Sequence, residues 1–274
     1  LLSLVTLPLG LLPVVAASSN GQWEQPSITL AQQMKELLEA LKTLDDTTLV
    51  FTMPNADNDG RVIINLIQNF VANNWADLIA KILTEKIKSI LEVNEKCTVM
   101  LTGGRAAKEI YNSISKFNLL YNLENIDFYL SDERLVDIND KDSNYKMIKE
   151  TLFKYGLPKK CNLYPMIDLK YNIDIAAKKY SDILPKYIDI LLLSIGEDGH
   201  IASLFPNSAA ISETTKSILP VIGTKFPYQR ITITPKIIKE AKSTFVFSMG
   251  EEKLSVFNKL LDNINDIYSI PARL

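Results

Sequence analysis

The chain has 274 residues, 47% of them hydrophobic and 23% charged, enough apolar material for a large buried core and too much for a disordered or fibrous protein. Its 30 basic and 32 acidic residues leave a formal net charge of -2, so no global field draws in nucleic acid or an anionic membrane, and any basic site is local. Two cysteines, Cys97 and Cys161, and one histidine, His200, are too few for a disulfide framework or a zinc cluster; no metal and no cofactor are expected, and a reducing cytoplasm is the simplest setting. Along the chain, Leu1 to Trp23 carries no charge, and the run ending in Val14-Val15-Ala16-Ala17-Ser18 mimics the apolar part of a secretory signal. Pro8, Gly10 and Pro13 interrupt that run and no basic flank accompanies it, so the cytoplasmic reading is preferred to export, and no membrane span is expected.

From Ile28 to Leu44, Leu30, Met34, Leu37, Leu38 and Leu41 recur at the spacing of one helical face. Leu49-Val50-Phe51 then reads as a short strand, Met53 to Asp57 as a turn, and Arg61 to Phe70 as a helix with Ile63, Ile64, Ile67 and Phe70 aligned. This strand, the Pro54-Asn55-Ala56-Asp57 turn and the Ile-rich helix, over about residues 32–73, resemble a fragment of the UDP-N-acetylglucosamine 2-epimerase family. The acidic and histidine residues which that family uses have no counterpart here, so the resemblance implies a fragment without epimerase activity. The character of the chain changes at Asn73-Asn74-Trp75, dividing it into a small helix-strand-helix region, 1–74, and a larger region, 75–274. The apolar helix face of the first region must be buried, against the second region or by self-association with another copy of the chain.

Beyond the boundary, strands and helices alternate. A long helix carries Leu78, Ile79, Ile82, Ile87, Ile90 and Leu91, and strands follow at Cys97 to Leu101, Ile126 to Leu130, Ile188 to Ser194, Arg230 to Thr234 and Thr244 to Ser248. Helices are expected near Ser143 to Phe153, near Ile173 to Leu184, through Ala241, and from Glu251 to Leu261. Ile190-Leu191-Leu192-Leu193 is apolar on both faces, as central strands are in a mostly parallel sheet with helices on both faces, so the fold class is α/β and Rossmann-like. In such sheets ligands collect beyond the carboxyl ends of the strands, which singles out the residues after Leu101, Leu130 and Ser194.

All three are chemically unusual. Thr102-Gly103-Gly104 opens a helix, where glycine lets backbone N–H groups approach a ligand and the helix end favours negative charge; a plain tight turn is the alternative. Ser131-Asp132-Glu133-Arg134 places charges against an apolar strand, with Ser143-Asn144 opening a later helix, so Asp132 and Arg134 read as a polar wall around a substrate or as a salt bridge. Gly196-Glu197-Asp198-Gly199-His200 delivers the sole imidazole beyond a buried strand, at the start of a helix or loop, and a neutral imidazole, with a pKa near ~6.5, takes a proton from water at neutral pH. Ser131 and Ser203 are the available hydroxyl nucleophiles, but neither lies in a Gly-x-Ser-x-Gly elbow.

Together with Ile201-Ala202-Ser203-Leu204-Phe205-Pro206, Lys225, Arg230-Ile231-Thr232, Gly250 and Lys253, these motifs resemble the 6-phosphogluconolactonase family, which shares its fold with glucosamine-6-phosphate deaminases. The deaminases continue the turn as His-Ile-Ala-Phe-Asn-Glu-Pro, so Ser203-Leu204-Phe205-Pro206 favours the lactonase branch. The resemblance implies hydrolysis of 6-phospho-D-glucono-1,5-lactone to 6-phosphogluconate in the oxidative pentose phosphate pathway, with the sugar-phosphate lactone as the small-molecule partner. It implies that His200 is the general base and Asp198 orients it or the water. Substrate contacts fall to Thr102, Gly103, Gly104, Asp132, Arg134, Asn144 and Gly199, and Lys225 and Arg230 hold the phosphate, with Arg134 a further cation. Arg105 stands where many relatives carry serine, and reads as an extra substrate contact or as the first exposed residue of its helix. Two rivals remain: a sugar-phosphate isomerase of the deaminase type, and a non-catalytic sugar-phosphate-binding module.

Overall fold

The structure, a computed structural model, describes residues 49–54, 75–249, 253–261 and 266–274. The apolar leader, the helices expected over Ile28 to Leu44 and Arg61 to Phe70, and Gly250 lie outside the described residues.

Strands β1 (Leu49–Pro54), β2 (Cys97–Leu101), β3 (Ile126–Leu130), β5 (Asn162–Leu163), β6 (Ile190–Ser194) and β9 (Ser243–Ser248) form a sheet in the order β1-β9-β6-β2-β3-β5. The pairs β9-β6, β6-β2, β2-β3 and β3-β5 are parallel. The mostly parallel sheet read from the sequence is thus present. All five residues of β2 and of β3 are buried, so both faces of these strands are covered, and their polar members are partnered, Thr98 by Asp189 and Asp127 by Lys96 and Asn162. Helices α1 (Trp75–Leu91), α2 (Arg105–Lys116), α3 (Asn144–Thr151), α4 (Ile173–Ile183), α5 (Pro235–Glu240) and α6 (Leu254–Leu261) follow the expected spacing. In α1, Ile79, Leu83 and Ile87 recur every fourth residue and are buried, each contributing roughly 1.5–3 kcal/mol of apolar burial. Ser143 caps α3 by accepting from the Lys146 N–H, and Asn172 caps α4 by accepting from the Ile175 N–H.

Two features depart from the sequence reading. The strand expected over Arg230 to Thr234 does not join the central sheet: as β8 (Gln229–Ile233) it lies between β4 (Asp132–Arg134) and β7 (Ile218–Ile222) in a separate antiparallel sheet. The loop joining β7 to β8 is too short for the crossover that a parallel neighbour needs, so the two fold back as a hairpin. The other feature is β1, which comes from the first region yet pairs antiparallel with β9 over its whole length, from Leu49↔Ser248 to Pro54↔Ser243. Pro54 is tolerated because β1 is an edge strand.

The sheet order sets the site. From β2 the chain passes to β3 on one side, and later returns to place β6 on the other, so the crevice opens beyond the carboxyl ends of β2 and β6. Leu101 is level with Leu130, and Met100 with Leu191, so the segments after all three strands emerge at one edge.

Candidate functional site

The first wall is the β2–α2 loop. The buried Tyr111 hydroxyl accepts from the Thr102 N–H (3.1 Å) and donates to the Thr102 carbonyl (3.0 Å), fixing the chain as it leaves β2. Tyr180 does the same at the end of β3, accepting from Leu130 N–H (2.6 Å) and donating to its carbonyl (3.2 Å). A Cβ on Gly103 would stand 2.1 Å from Asn144 Oδ1, so only glycine lets the α3 terminus close against this loop. Gly104 has φ +102 and is the N-cap of α2, whose first N–H groups have no intrahelical partners.

The second wall runs from β4 to α3. Glu133 turns away from the opening and accepts from the backbone N–H groups of Asn144 (2.8 Å), Tyr145 (2.7 Å) and Arg134 (2.8 Å), tying the N-terminus of α3 to β4. Burial pushes its carboxyl up, and these N–H donors oppose the shift. Asp132 faces the other way: its carboxylate accepts from Ser203 Oγ (2.6 Å) and Asn144 Nδ2 (3.2 Å). Its partners are therefore Ser203 and Asn144, and the salt-bridge reading with Arg134 is set aside. Arg134 instead donates from Nη1 to the Asp142 carbonyl (2.6 Å), which aligns its guanidinium.

The third wall is the turn after β6. It carries no helix at His200: Gly196 N–H donates to the His200 carbonyl (2.8 Å) and Gly199 N–H to the Gly196 carbonyl (3.1 Å), so a tight loop presents the imidazole. His200 Nδ1 lies 2.5 Å from Asp198 Oδ1, and the His200 N–H donates to the same oxygen at 3.2 Å. Partial burial alone would raise the Asp198 carboxyl, but the hydrogen bonds and charge of His200 outweigh it and hold the group down to about 2. An ionised Asp198 only accepts, so Nδ1 carries a proton, and it is Nε2 that holds the lone pair when the ring is neutral. A Cβ on Gly196 would fall 2.1 Å from the imidazole and 2.8 Å from Asp198 Oδ1, so this glycine makes room for the pair.

The fourth wall carries positive charge. Arg134 and Arg230 are directly opposed across β4 and β8, and the carboxylates of Asp132, Glu133 and Asp142 offset part of the repulsion at Arg230. Arg230 is buried; its Nε donates to the Pro227 carbonyl (3.0 Å) and its Nη2 to the Lys225 carbonyl (3.2 Å). Burial first, and the Arg134 charge second, push its pKa down, though an arginine remains protonated throughout the working range. Phe205 stands between base and cation, its ring centre 4.8 Å from that of His200 and 5.4 Å from Arg230 Cζ. Lys225 is exposed and its ammonium lies 3.3 Å from Glu197.

These walls enclose a cavity of about 240 Å³. Of the residues singled out in the sequence, Thr102, Gly103, Gly104, Asp132, Arg134, Asn144, His200, Lys225 and Arg230 all line it, and so does Arg105. Asp198 and Gly199 do not. Asp198 reaches the cavity only through His200, which makes it a positioning residue. Gly199 shapes the turn: it has φ +86, Ile270 occupies the space a Cβ would need at 2.9 Å, and its carbonyl accepts from Ala272 N–H. Ser194, Glu197, Met249 and Lys253 also line the cavity and were not singled out as contacts; Glu197 sits inside the quoted turn, where its charge was the available signal. Among the described residues, no three His, Cys, Asp or Glu side chains converge as a metal site.

Residues 72–274 match the family described as glucosamine-6-phosphate isomerases/6-phosphogluconolactonase. The chain is 30% identical over 202 residues to 6-phosphogluconolactonase 3 of Saccharomyces cerevisiae, spanning 69% of this chain and 81% of that relative. It superposes on the solved 6-phosphogluconolactonase from Trypanosoma brucei with a TM-score of 0.58 at 25% identity, covering 69% of this chain and 84% of the other. A monomeric glucosamine-6-phosphate deaminase shares the fold, with a TM-score of 0.59 at 17% identity over 72% of this chain and 87% of the other.

Proposed function

Because the chain belongs to the glucosamine-6-phosphate isomerase/6-phosphogluconolactonase family, we propose that it hydrolyses 6-phospho-D-glucono-1,5-lactone to 6-phosphogluconate, a step of the oxidative pentose phosphate pathway, with His200 as the general base. One observation carries the reading: His200, oriented by Asp198, and the opposed Arg134 and Arg230 line the same cavity, with Phe205 bridging base and cation.

A phosphate brings about two negative charges near neutral pH, which matches two arginines fixed on adjacent strands and an exposed lysine at the rim. Anchored there, the lactone presents its C1 carbonyl to His200. Nε2 takes a proton as water attacks C1, and the Asp198 carboxylate stabilises the imidazolium that forms. The oxyanion develops beside Gly103, Gly104 and the positive end of α2, where backbone N–H groups and the helix dipole favour it. The C1–O5 bond then breaks, and the imidazolium returns its proton to O5. One water is consumed and the base is regenerated.

A coupled assay with freshly prepared lactone, corrected for spontaneous hydrolysis, tests this directly. Ammonia release from glucosamine 6-phosphate would instead favour the isomerase reading, and phosphosugar binding without turnover a non-catalytic module. The single histidine supports the lactonase, whose reaction needs one proton shuttle.

Residues 75–274 form the catalytic region in this proposal, and residues 1–74 an appended region that self-associates or packs in cis. Every site residue lies in 75–274, so a chain lacking residues 1–74 is expected to keep hydrolysing the lactone. That deletion also strips β1 from β9 and exposes a sheet edge. It should therefore aggregate more readily in light scattering than a chain lacking only residues 1–48, and equal behaviour of the two would remove the guarding role of β1. A cytoplasmic setting is part of the same proposal: Cys97 and Cys161 are unpaired thiols, and burial pushes Cys97 up to about 12. No helix among the described residues is long and apolar enough to cross a membrane.

A further inference from the structure

We infer that Ser203 is a positioning residue for the reaction: its hydroxyl and its backbone N–H clamp the loop bearing His200 onto the small sheet that carries the arginine pair. The inference rests on His200 being the base.

The clamp is visible at three points. Ser203 is fully buried, and its Oγ donates to Asp132 Oδ2 at 2.6 Å. Its N–H donates to Thr232 Oγ1 at 3.0 Å, while Thr232 donates its own hydroxyl proton to the Ile233 carbonyl at 3.1 Å and so is left as an acceptor. Asp132 and Thr232 are themselves cross-strand partners, two residues along β4 and β8 from the opposed Arg134 and Arg230. The serine is thus bolted to both strands at the level next to the anion clamp. Asn144 holds Asp132 from the other side through its Nδ2, to the Asp132 carbonyl at 3.0 Å and the carboxylate at 3.2 Å.

The clamp holds something that would otherwise relax. Ala202, between His200 and Ser203 in the chain and on the cavity wall, has φ +48, a left-handed backbone that a residue with a Cβ adopts only when its surroundings over-determine it. Immediately before it, Ile201 bridges back to Ile195 at the end of β6, and Leu204 N–H returns to the Ile201 carbonyl at 2.9 Å. The loop bearing His200 is therefore closed at its base by Gly196 and by the Ile195–Ile201 bridge, and that base is itself held two residues further on by the Ser203 clamp. Release of the clamp lets Ala202 relax toward ordinary backbone angles and moves the imidazole away from the bound carbonyl. Neither arginine bonds to Ser203, so phosphate anchoring survives that release.

The experiment compares Ser203→Ala with wild type in the full chain. Displacing a catalytic group by a fraction of an ångström reduces turnover more than binding, so kcat should fall about tenfold while KM stays within about twofold. Because His200 is the only histidine, protein labelled with 13C at histidine Cε1 gives one imidazole signal, and in Ser203→Ala that signal should shift or split. Adding Ala202→Gly should recover much of the lost kcat, since glycine takes the left-handed backbone without the clamp. Should Ser203→Ala fail to fold, Thr232→Val removes the acceptor for the Ser203 N–H, together with the local hydroxyl bond to the Ile233 carbonyl, and is read in the same way. An unchanged histidine signal with kcat within twofold of wild type would overturn the inference, as would a loss of kcat that glycine at 202 leaves untouched. If the wild-type chain fails to hydrolyse the lactone, the functional reading falls, while the histidine signal still decides whether Ser203 positions the ring.

Discussion

His200→Ala is expected to lower kcat for lactone hydrolysis by roughly a hundredfold to ten-thousandfold, the range for removing a positioned general base. KM should change little, because the cations that hold the phosphate are untouched. The pH profile separates a base from a passive wall residue. Asp198 has its carboxyl held down from 3.8 to about 2, so its charge, and the stability that charge contributes, is present above the ordinary carboxylate pKa and is lost only as pH falls through about 2. It therefore stays ionised across the neutral range, so loss of the Asp198 charge cannot account for a fall of kcat/KM on the acid side. Asp198→Asn keeps the shape but removes the negative partner of Nδ1, and should lower kcat with KM nearly unchanged. Full activity in His200→Ala, after correction for spontaneous hydrolysis, would leave the mechanism without its base.

Local patterns made much of this site legible. Ile190-Leu191-Leu192-Leu193 has the length and composition of a strand covered on both faces, and the polar turn after it emerges where ligands bind in a parallel sheet. Gly103 and Gly196 occupy places where a side chain would collide with Asn144 and with His200, a constraint that glycine in a strand-end turn announces. Contacts made across long separations were invisible. Ser203 and Asp132 lie 71 residues apart, and nothing in either neighbourhood announces that a hydroxyl weighed only as a nucleophile serves as a carboxylate's donor. The second sheet escaped for a related reason: Gln229 to Ile233 has the composition of any strand, and only the short return from β7 decides which neighbours it takes. A motif also lists residues without saying which side of the turn each occupies, and only the structure shows Ile270 packed against Gly199.

Arg230→Ala should produce the second largest effect, and one of a different kind. A hydrogen-bonded charge contact of this sort is worth roughly 1.5–3 kcal/mol, which corresponds to about a tenfold to hundredfold loss in kcat/KM, borne mainly by KM. Lys225→Ala should cost less, because that ammonium is exposed, screened by solvent and already shared with Glu197. Arg230 also holds the loop before β8 through the Pro227 and Lys225 carbonyls, so a general loosening must be told apart from a lost phosphate contact. Unphosphorylated glucono-1,5-lactone makes the distinction. It offers the same carbonyl to His200 but nothing to the arginines, so a loosened loop slows both substrates, whereas a lost anion contact slows only the phosphorylated one. The preference for the phosphorylated lactone should collapse in Arg230→Ala and be partly kept in Arg230→Lys, which retains the charge without the planar fork. If the preference survives in Arg230→Ala, the phosphate is held elsewhere, and the like-charged pair across β4 and β8 has some other counter-ion.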